Sequence, residues 1–448
     1  MKKLLFISAI FFAVLMTSCF KGGDYKSYVP ADSKLVAKVD FKEFIKQTNV
    51  DQEKLFKDIK ERYGDEVGDM KNSGIDLTTP FYIFARKNGS EILFGAVAKV
   101  EERGKVEEFL SKKAKASLTQ EKDYSFEVKG DNAIAVNEDV LVVLGSTSSD
   151  NEAMKTNLSK VMKKEIEGDV SDNNIFKNAD GNGSFASLYA DMSLFSEAME
   201  KEMGKSAPAA NLDALKKMEI GIDATCKDGV CDFKAAFKSN DKELQEKMDK
   251  SMKAFGKISE KATAAFSQDD MFGIALNASG EKIMEALNEA INNMPQDAAQ
   301  YKEIIQMISG FVKKIKGNVT FSMKSMDQLV FMAEGQNMTD EVVQLFKQNG
   351  TPAPKLTGNI YSVQDEMYFG QAGSIFCFTN NKSIAENPTS SGGSAPAPLI
   401  SLMKDRRQVY FANVKKMLDL AALQDGNKED LQAFKEITDK INYVTISL

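Results

Sequence analysis

Two rhythms of apolar and polar residues follow one another along this chain. Alternation at every second residue predicts strands, and apolar residues three and four apart predict amphipathic helices. Four stretches pass from the first rhythm to the second through a single Asp or Asn: "KLVAKVDFKEFIKQ", "SFASLYADMSLFSEAM", "MFGIALNASGEKIMEAL" and "QVYFANVKKMLDLA". The junction residues are Asp40, Asp191, Asn277 and Asn413. Each is expected to cap the helix that follows, its side-chain oxygen accepting from the free amides of the first turn. Asp40 and Glu43 have the spacing of a capping box. A shared carboxylate centre is the competing idea, but two of the four are amides.

The pattern repeats over longer distances. "GSEILFGAVAKVEERGKVEEFL" (89–110) aligns without a gap on "MDQLVFMAEGQNMTDEVVQLFK" (326–347), setting Phe94 against Phe331 and Val106 against Val343. The offset of 237 residues also relates Asp40 to Asn277. "FEVKGDNAIAVNEDVLVVLG" (126–145) aligns on "YSVQDEMYFGQAGSIFCFTN" (361–380) at offset 235, with Cys377 opposite Val142. The chain is therefore expected to be duplicated, as 31–262 and 263–448, with four strand–helix units in all. In each half a longer unit reads strand, one or two helices, hairpin, helix, three short strands. Near its end the shorter unit has "KMEIGIDAT" in one half and "KINYVTISL" in the other. Strands joined by hairpins and interrupted by helices predict an α+β fold, mostly antiparallel sheets with helices packed on them. "ENPTSSGGSAPAPL" (386–399) is the clearest linker-like stretch.

The first thirty residues follow neither rhythm. Lys2 and Lys3 precede an apolar run, Leu4 to Met16, too short to span a bilayer and laid out as a secretory signal. Thr17, Ser18 and Cys19 close it, and "AVLMTSC" resembles the lipobox of bacterial lipoproteins, with Met16 where such motifs carry leucine. On this reading residues 1–18 are removed and Cys19 becomes the acylated first residue. Two chains suffice for stable anchoring at about 0.8 kcal/mol per buried methylene. Residues 19–30 are then the lipidated cysteine and a polar tether. Loss of the leader leaves 56 basic residues against 65 acidic ones, a net charge of −9. No basic block offers a surface for nucleic acid.

Composition removes chemistry more than it adds any. With no histidine there is no Ser-His-Asp triad, no histidine general base and no histidine metal ligand. With no tryptophan the strongest sugar-stacking side chain is missing. Four cysteines remain, Cys19, Cys226, Cys231 and Cys377. In "IGIDATCKDGVCDFKAAF" the Asp228-Gly229 pair predicts a two-residue hairpin turn that sets Cys226 across from Cys231, within disulfide reach. An exported chain meets oxidising conditions, so this disulfide is expected. Cys377, in "SIFCFTN", reads as strand core, with no histidine to activate it.

Few motifs compete. "NADGNG" (178–183) opens like a calcium loop, but its twelfth position is Tyr189 where a bidentate glutamate belongs. No metal site is expected, no cofactor and no catalytic residue, although 65 acids leave a two-carboxylate hydrolase as a third reading. Leu244, Met248, Met252, Phe255 and Ile258 form a helical stripe, and the 22 methionines of the chain suit either core or an adaptable apolar groove.

The leader, the short tether and "YVPADSKLVAKVDFKEFIKQ", with its Pro30-Ala31-Asp32 turn before a strand and helix, resemble an uncharacterised envelope lipoprotein family of the Bacteroides group, known as a domain of unknown function. The resemblance implies the envelope of a Gram-negative cell and no activity. With only Asp24 following the cysteine closely, the periplasmic face of the outer membrane is favoured over the cell surface. The expected function is a lipid-anchored, non-catalytic binding or structural role with a protein partner. The alternative is a carrier or chaperone for an apolar or lipid ligand.

Overall fold

The computed structural model describes residues 24–63, 72–89, 91–147, 150–181, 183–197, 200, 209–263, 265–292, 299–325, 328–388, 395–425 and 435–448. The expected leader and Cys19 lie outside them. The chain forms two compact units: 1–227 with 235–240 and 426–440, and 228–234 with 241–425 and 441–448. Both are mixed α and β, and the strands are mostly antiparallel.

The first unit contains β1 (Leu35–Val39), β2 (Phe81–Asn88), β3 (Glu91–Lys99), β4 (Thr119–Gln120), β5 (Ser125–Lys129), β6 (Asn132–Val136), β7 (Val140–Ser146), β8 (Ala186–Asp191) and β9 (Met218–Lys227). Their pairings give one antiparallel order, β9-β8-β1-β2-β3-β7-β6-β5-β4. Apolar clusters lie on both faces of this sheet. One holds Tyr82, Val97 and Val142, and the other holds their neighbours Phe81, Ala98 and Leu141. A strand covered on both faces needs no alternation, which is why β7 reads "VLVVLGS".

The second unit contains β10 (Val230–Ser239, its first residues), β11 (Phe255–Gly256), β12 (Phe272–Ser279), β13 (Ile315–Ser325), β14 (Gln328–Gly335), β15 (Lys355–Thr357), β16 (Ile360–Val363), β17 (Met367–Ala372), β18 (Ile375–Thr379), β19 (Gln408–Asn413) and β20 (Tyr443–Ser447). Here the order is β10-β20-β19-β12-β13-β14-β18-β17-β16-β15. From β20 onward it repeats the first unit strand for strand. The β10–β20 pair is parallel, unlike the others.

Register confirms the correspondence in detail. Lys38, Tyr82, Val97 and Val142 face one another across the first sheet, as Ala275, Thr320, Met332 and Cys377 do across the second. Cys377 thus occupies the place of Val142. The gapless alignment of β3 on β14 is corrected by two residues, because Phe331 stands where Ala96 does rather than where Phe94 does. Measured from the equivalent pairs, the β13–β14 hairpin reaches its turn sooner, Thr320 and Met332 being closer in sequence than Tyr82 and Val97, and it carries bulges.

The expected tether is also corrected. Tyr25–Tyr28 form a 3-10 helix, and Tyr25, Tyr28 and Val29 are buried in the core with Tyr82 and Val97. Tyr-x-x-Tyr-Val puts its apolar groups on one side of a single turn, so the chain is anchored from Tyr25 onward. Asp228 and Gly229 turn with φ of 50° and 80°, the left-handed values of a type I′ hairpin. Cys226 and Cys231 beside them are disulfide-bonded.

Candidate functional site

The two units share a backbone but differ in what fills one place in it. In the first, the 3-10 helix turns through a bond from the Val29 amide to Lys26 O, followed by one from the Ser33 amide to Pro30 O. In the second, the Phe266 amide bonds Thr263 O and the Asp270 amide bonds Ser267 O. All four residues of each set are related by 237. The Lys34 amide bonds Ala85 O, and the Met271 amide bonds Met323 O. Tyr25 and Tyr28 therefore correspond to Ala262 and Ala265, and the sheet register makes Tyr82 correspond to Thr320.

In the first unit the three phenols close this place. The Tyr25 and Tyr82 rings lie 6.0 Å apart, and Phe176 packs at a tilt 5.1 Å from Tyr82. The Tyr25 hydroxyl donates to Pro80 O at 2.6 Å, and Asn137 Nδ2 donates to the Tyr28 hydroxyl at 2.9 Å. The Tyr82 hydroxyl donates to Asp180, whose carboxylate also takes Lys26 Nζ at 2.8 Å. Lys38 Nζ donates to Asp180 O at 3.1 Å. Burial drives the phenols of Tyr25 and Tyr82 well above the ordinary tyrosine range and pulls the Lys38 ammonium below its own. Burial would raise Asp180, but hydrogen bonds from Lys26 and Tyr82 outweigh it and hold the carboxyl low. A void of about 40 Å³ is lined by Tyr28 and its neighbours.

In the second unit two alanines and a threonine leave a chamber of about 350 Å³. Ala262, Ala265, Thr320, Met332 and Ile375 line it, and Lys261 and Glu334 stand where its wall continues into a second, more polar groove of about 880 Å³. The chamber is of a size that small-molecule sites use, roughly 300–1,000 Å³ and predominantly apolar. Cys377 packs behind Met332, free and buried, with its thiol pushed up to about 12 by desolvation. Such a thiol packs and does not attack. At the mouth, Glu334 Oε2 accepts from the Asn318 amide at 2.8 Å and from Asn318 Nδ2 at 2.7 Å. Lys316 pairs with Glu281 at 2.7 Å and Lys314 with Glu341 at 3.6 Å.

The residues expected from sequence fall elsewhere. Asp40 Oδ1 accepts the Glu43 amide at 2.9 Å at the start of the helix Phe41–Thr48. Asp191 accepts the Ser193 amide at 2.9 Å ahead of the 3-10 helix Met192–Phe195 and also binds Lys34. Asn413 Oδ1 accepts the Lys416 amide at 3.1 Å. Asn277 differs: it lies inside β12, and its Nδ2 donates to Lys257 O at 2.6 Å. β11 pairs with Asn277 and Ala278, drawing the strand on to Ser279, so the next helix begins only at Gly280. Of the calcium-like stretch, Asn178 and Asp180 belong to the helix Asn174–Asp180. None of these residues lines the chamber. Ala262 and Ala265 were missed, and the signal was the 237 offset itself, which runs N-terminally from Asp40 and Asn277 onto both alanines.

A family model described as a domain of unknown function, DUF4836, matches residues 25–447. The chain belongs to DUF4836. No curated protein matches this DUF4836 chain. Among solved structures it is similar to two crystal forms, I and III, of TP0453, each at 11% identity and a TM-score of 0.28. The matches cover 46% and 45% of this chain and 74% and 75% of those chains.

Proposed function

We propose that this DUF4836 chain is a lipid-anchored protein of the Bacteroides-type cell envelope, held to the outer membrane through Cys19, with a non-catalytic binding role whose ligand is apolar. The chamber of the second unit carries the reading, and it moves the apolar-ligand carrier ahead of the protein-partner scaffold. A half-open apolar space forgoes packing contacts that, in the first unit, tyrosines supply on the same backbone. Among the described residues no helix is long and apolar enough to cross a membrane; the proposed attachment is supported by the lipobox-like "AVLMTSC" and its Cys19.

Organic extracts of the purified full mature chain, analysed by mass spectrometry, are expected to contain a co-purifying apolar molecule or amphiphile. Ala262→Tyr, which installs the side chain borne by Tyr25, is expected to deplete it about tenfold or more, a loss of about 1.4 kcal/mol of affinity, with no loss of melting temperature. Extracts empty for both proteins overturn the carrier reading. Cys19→Ala is expected to move the chain into the soluble fraction. A variant still held in salt-washed membranes refutes the anchor.

A further inference from the structure

We infer that the chamber's ligand is a single-chain amphiphile with an anionic head, a carboxylate or a phosphate, whose tail fills the chamber and whose head meets Lys261 and Lys313. The inference rests on the proposed binding role and adds the chemistry of the ligand's polar end. Lys261 borders both the chamber and the adjoining groove, and Lys313 borders the groove. Four lysines line that groove, and their states differ. Lys314 and Lys316 are held by Glu341 and Glu281. Lys261 and Lys313 have no carboxylate partner among the described residues.

The acid on the shared wall is turned toward Asn318 and pairs with no lysine among the described residues. Glu334 takes both its donors from Asn318, whose Oδ1 in turn accepts the Ser259 amide at 3.0 Å. Gly317 leaves the room for this carboxylate, because a Cβ there would stand 2.3 Å from Glu334 Oε2. The hydrogen bonds from Asn318 fix Glu334 in place and leave its charge, so the four lysines of the groove outnumber its three glutamates and the two unpaired ones make a net positive end beside an apolar space open to a hydrocarbon tail. A neutral tail alone would leave that charge unused, and a cationic head would meet it directly.

The test measures displacement of a fluorescent apolar probe from the full mature chain by dodecanoate, dodecyl phosphate and dodecanol. At least one of the two acids is expected to bind about fivefold tighter than the alcohol, the scale of two partly exposed ion pairs, and to lose that margin as salt rises. Lys261→Gln with Lys313→Gln is expected to erase the margin and leave dodecanol unchanged. A carboxylate preference indicates a free fatty acid, and a phosphate preference a phospholipid-derived head. Equal binding of all three, or a margin that survives the double variant, overturns the anionic head while the apolar chamber stands. Displacement by none of them, together with an unaltered probe signal in Ala262→Tyr, removes the chamber reading as well.

Discussion

Single side chains carry readable pH and redox behaviour. Tyr25 and Tyr82 keep their protons in the folded state at pH values where an unfolded tyrosine, at about 10, releases its own. Their contribution to stability is therefore complete below that pH and is lost as pH rises beyond it. Lys38 is shifted the other way, so its effect is a gain in stability as pH rises toward 10.5, the ordinary lysine value. Melting curves are expected to fall steeply in alkaline solution, and Tyr25→Phe with Tyr82→Phe should flatten that fall. An unchanged slope would mean the phenols are not the titrating groups. Thiols give a second readout. Denatured, unreduced mature chain should show one reactive thiol, Cys377, and reduction should raise the number to three. Closing so short a loop stabilises the fold by roughly 2 kcal/mol in the chain-entropy picture, so Cys226→Ser with Cys231→Ser should lower stability by about that amount.

At the scale of strands, cross-strand pairs of glycine with an aromatic ring recur. Phe94 faces Gly145, Tyr189 faces Gly221 and Phe411 faces Gly273. In each, the ring lies over the glycine, where a Cβ would come within 2.2–2.5 Å of it. Gly273→Ala must push Phe411 off Phe266, its edge-on partner at 5.1 Å, and should cost about 1–3 kcal/mol as an overpacked core does. Chemical denaturation checks it, and a change near zero would show that the ring moves freely. Strands were legible in sequence because their apolar runs are bounded by turn residues, and Asp228-Gly229 set its hairpin from two residues. The β3–β14 error had a physical cause. A slip of two residues keeps every side chain on its own face, so the hydrophobic pattern is blind to it, whereas a slip of one would have reversed the core. Asn277 misled for another reason. Its strand is lengthened by pairing with β11, a contact that no local pattern around Asn277 announces.

For the whole chain, the duplication was legible because both halves must bury the same sheet against helices, and burial constrains pattern. The chamber was not legible by the same logic. No local pattern marks Ala262 and Ala265, and their meaning lies only in what Tyr25 and Tyr28 do at the corresponding turn. The proposed binding role rests on a difference between two similar units, which neither unit shows alone. That difference can be reversed. Tyr28→Ala gives the first unit the residue found at Ala265. It removes a phenol that packs with Val97 and Val142 and leaves Asn137 Nδ2 without that acceptor. The expected cost is about 3–5 kcal/mol, typical of truncating a buried aromatic, measured as a lower denaturation midpoint. The opened space is walled by Val29, Val161 and Val170 as well as by Lys164 and Asn137, and xenon or benzene should occupy its apolar side as a second site that the unaltered chain lacks. If the variant keeps its stability and gains no site, Tyr28 does not close this place, and the contrast on which the proposed binding role rests falls with it.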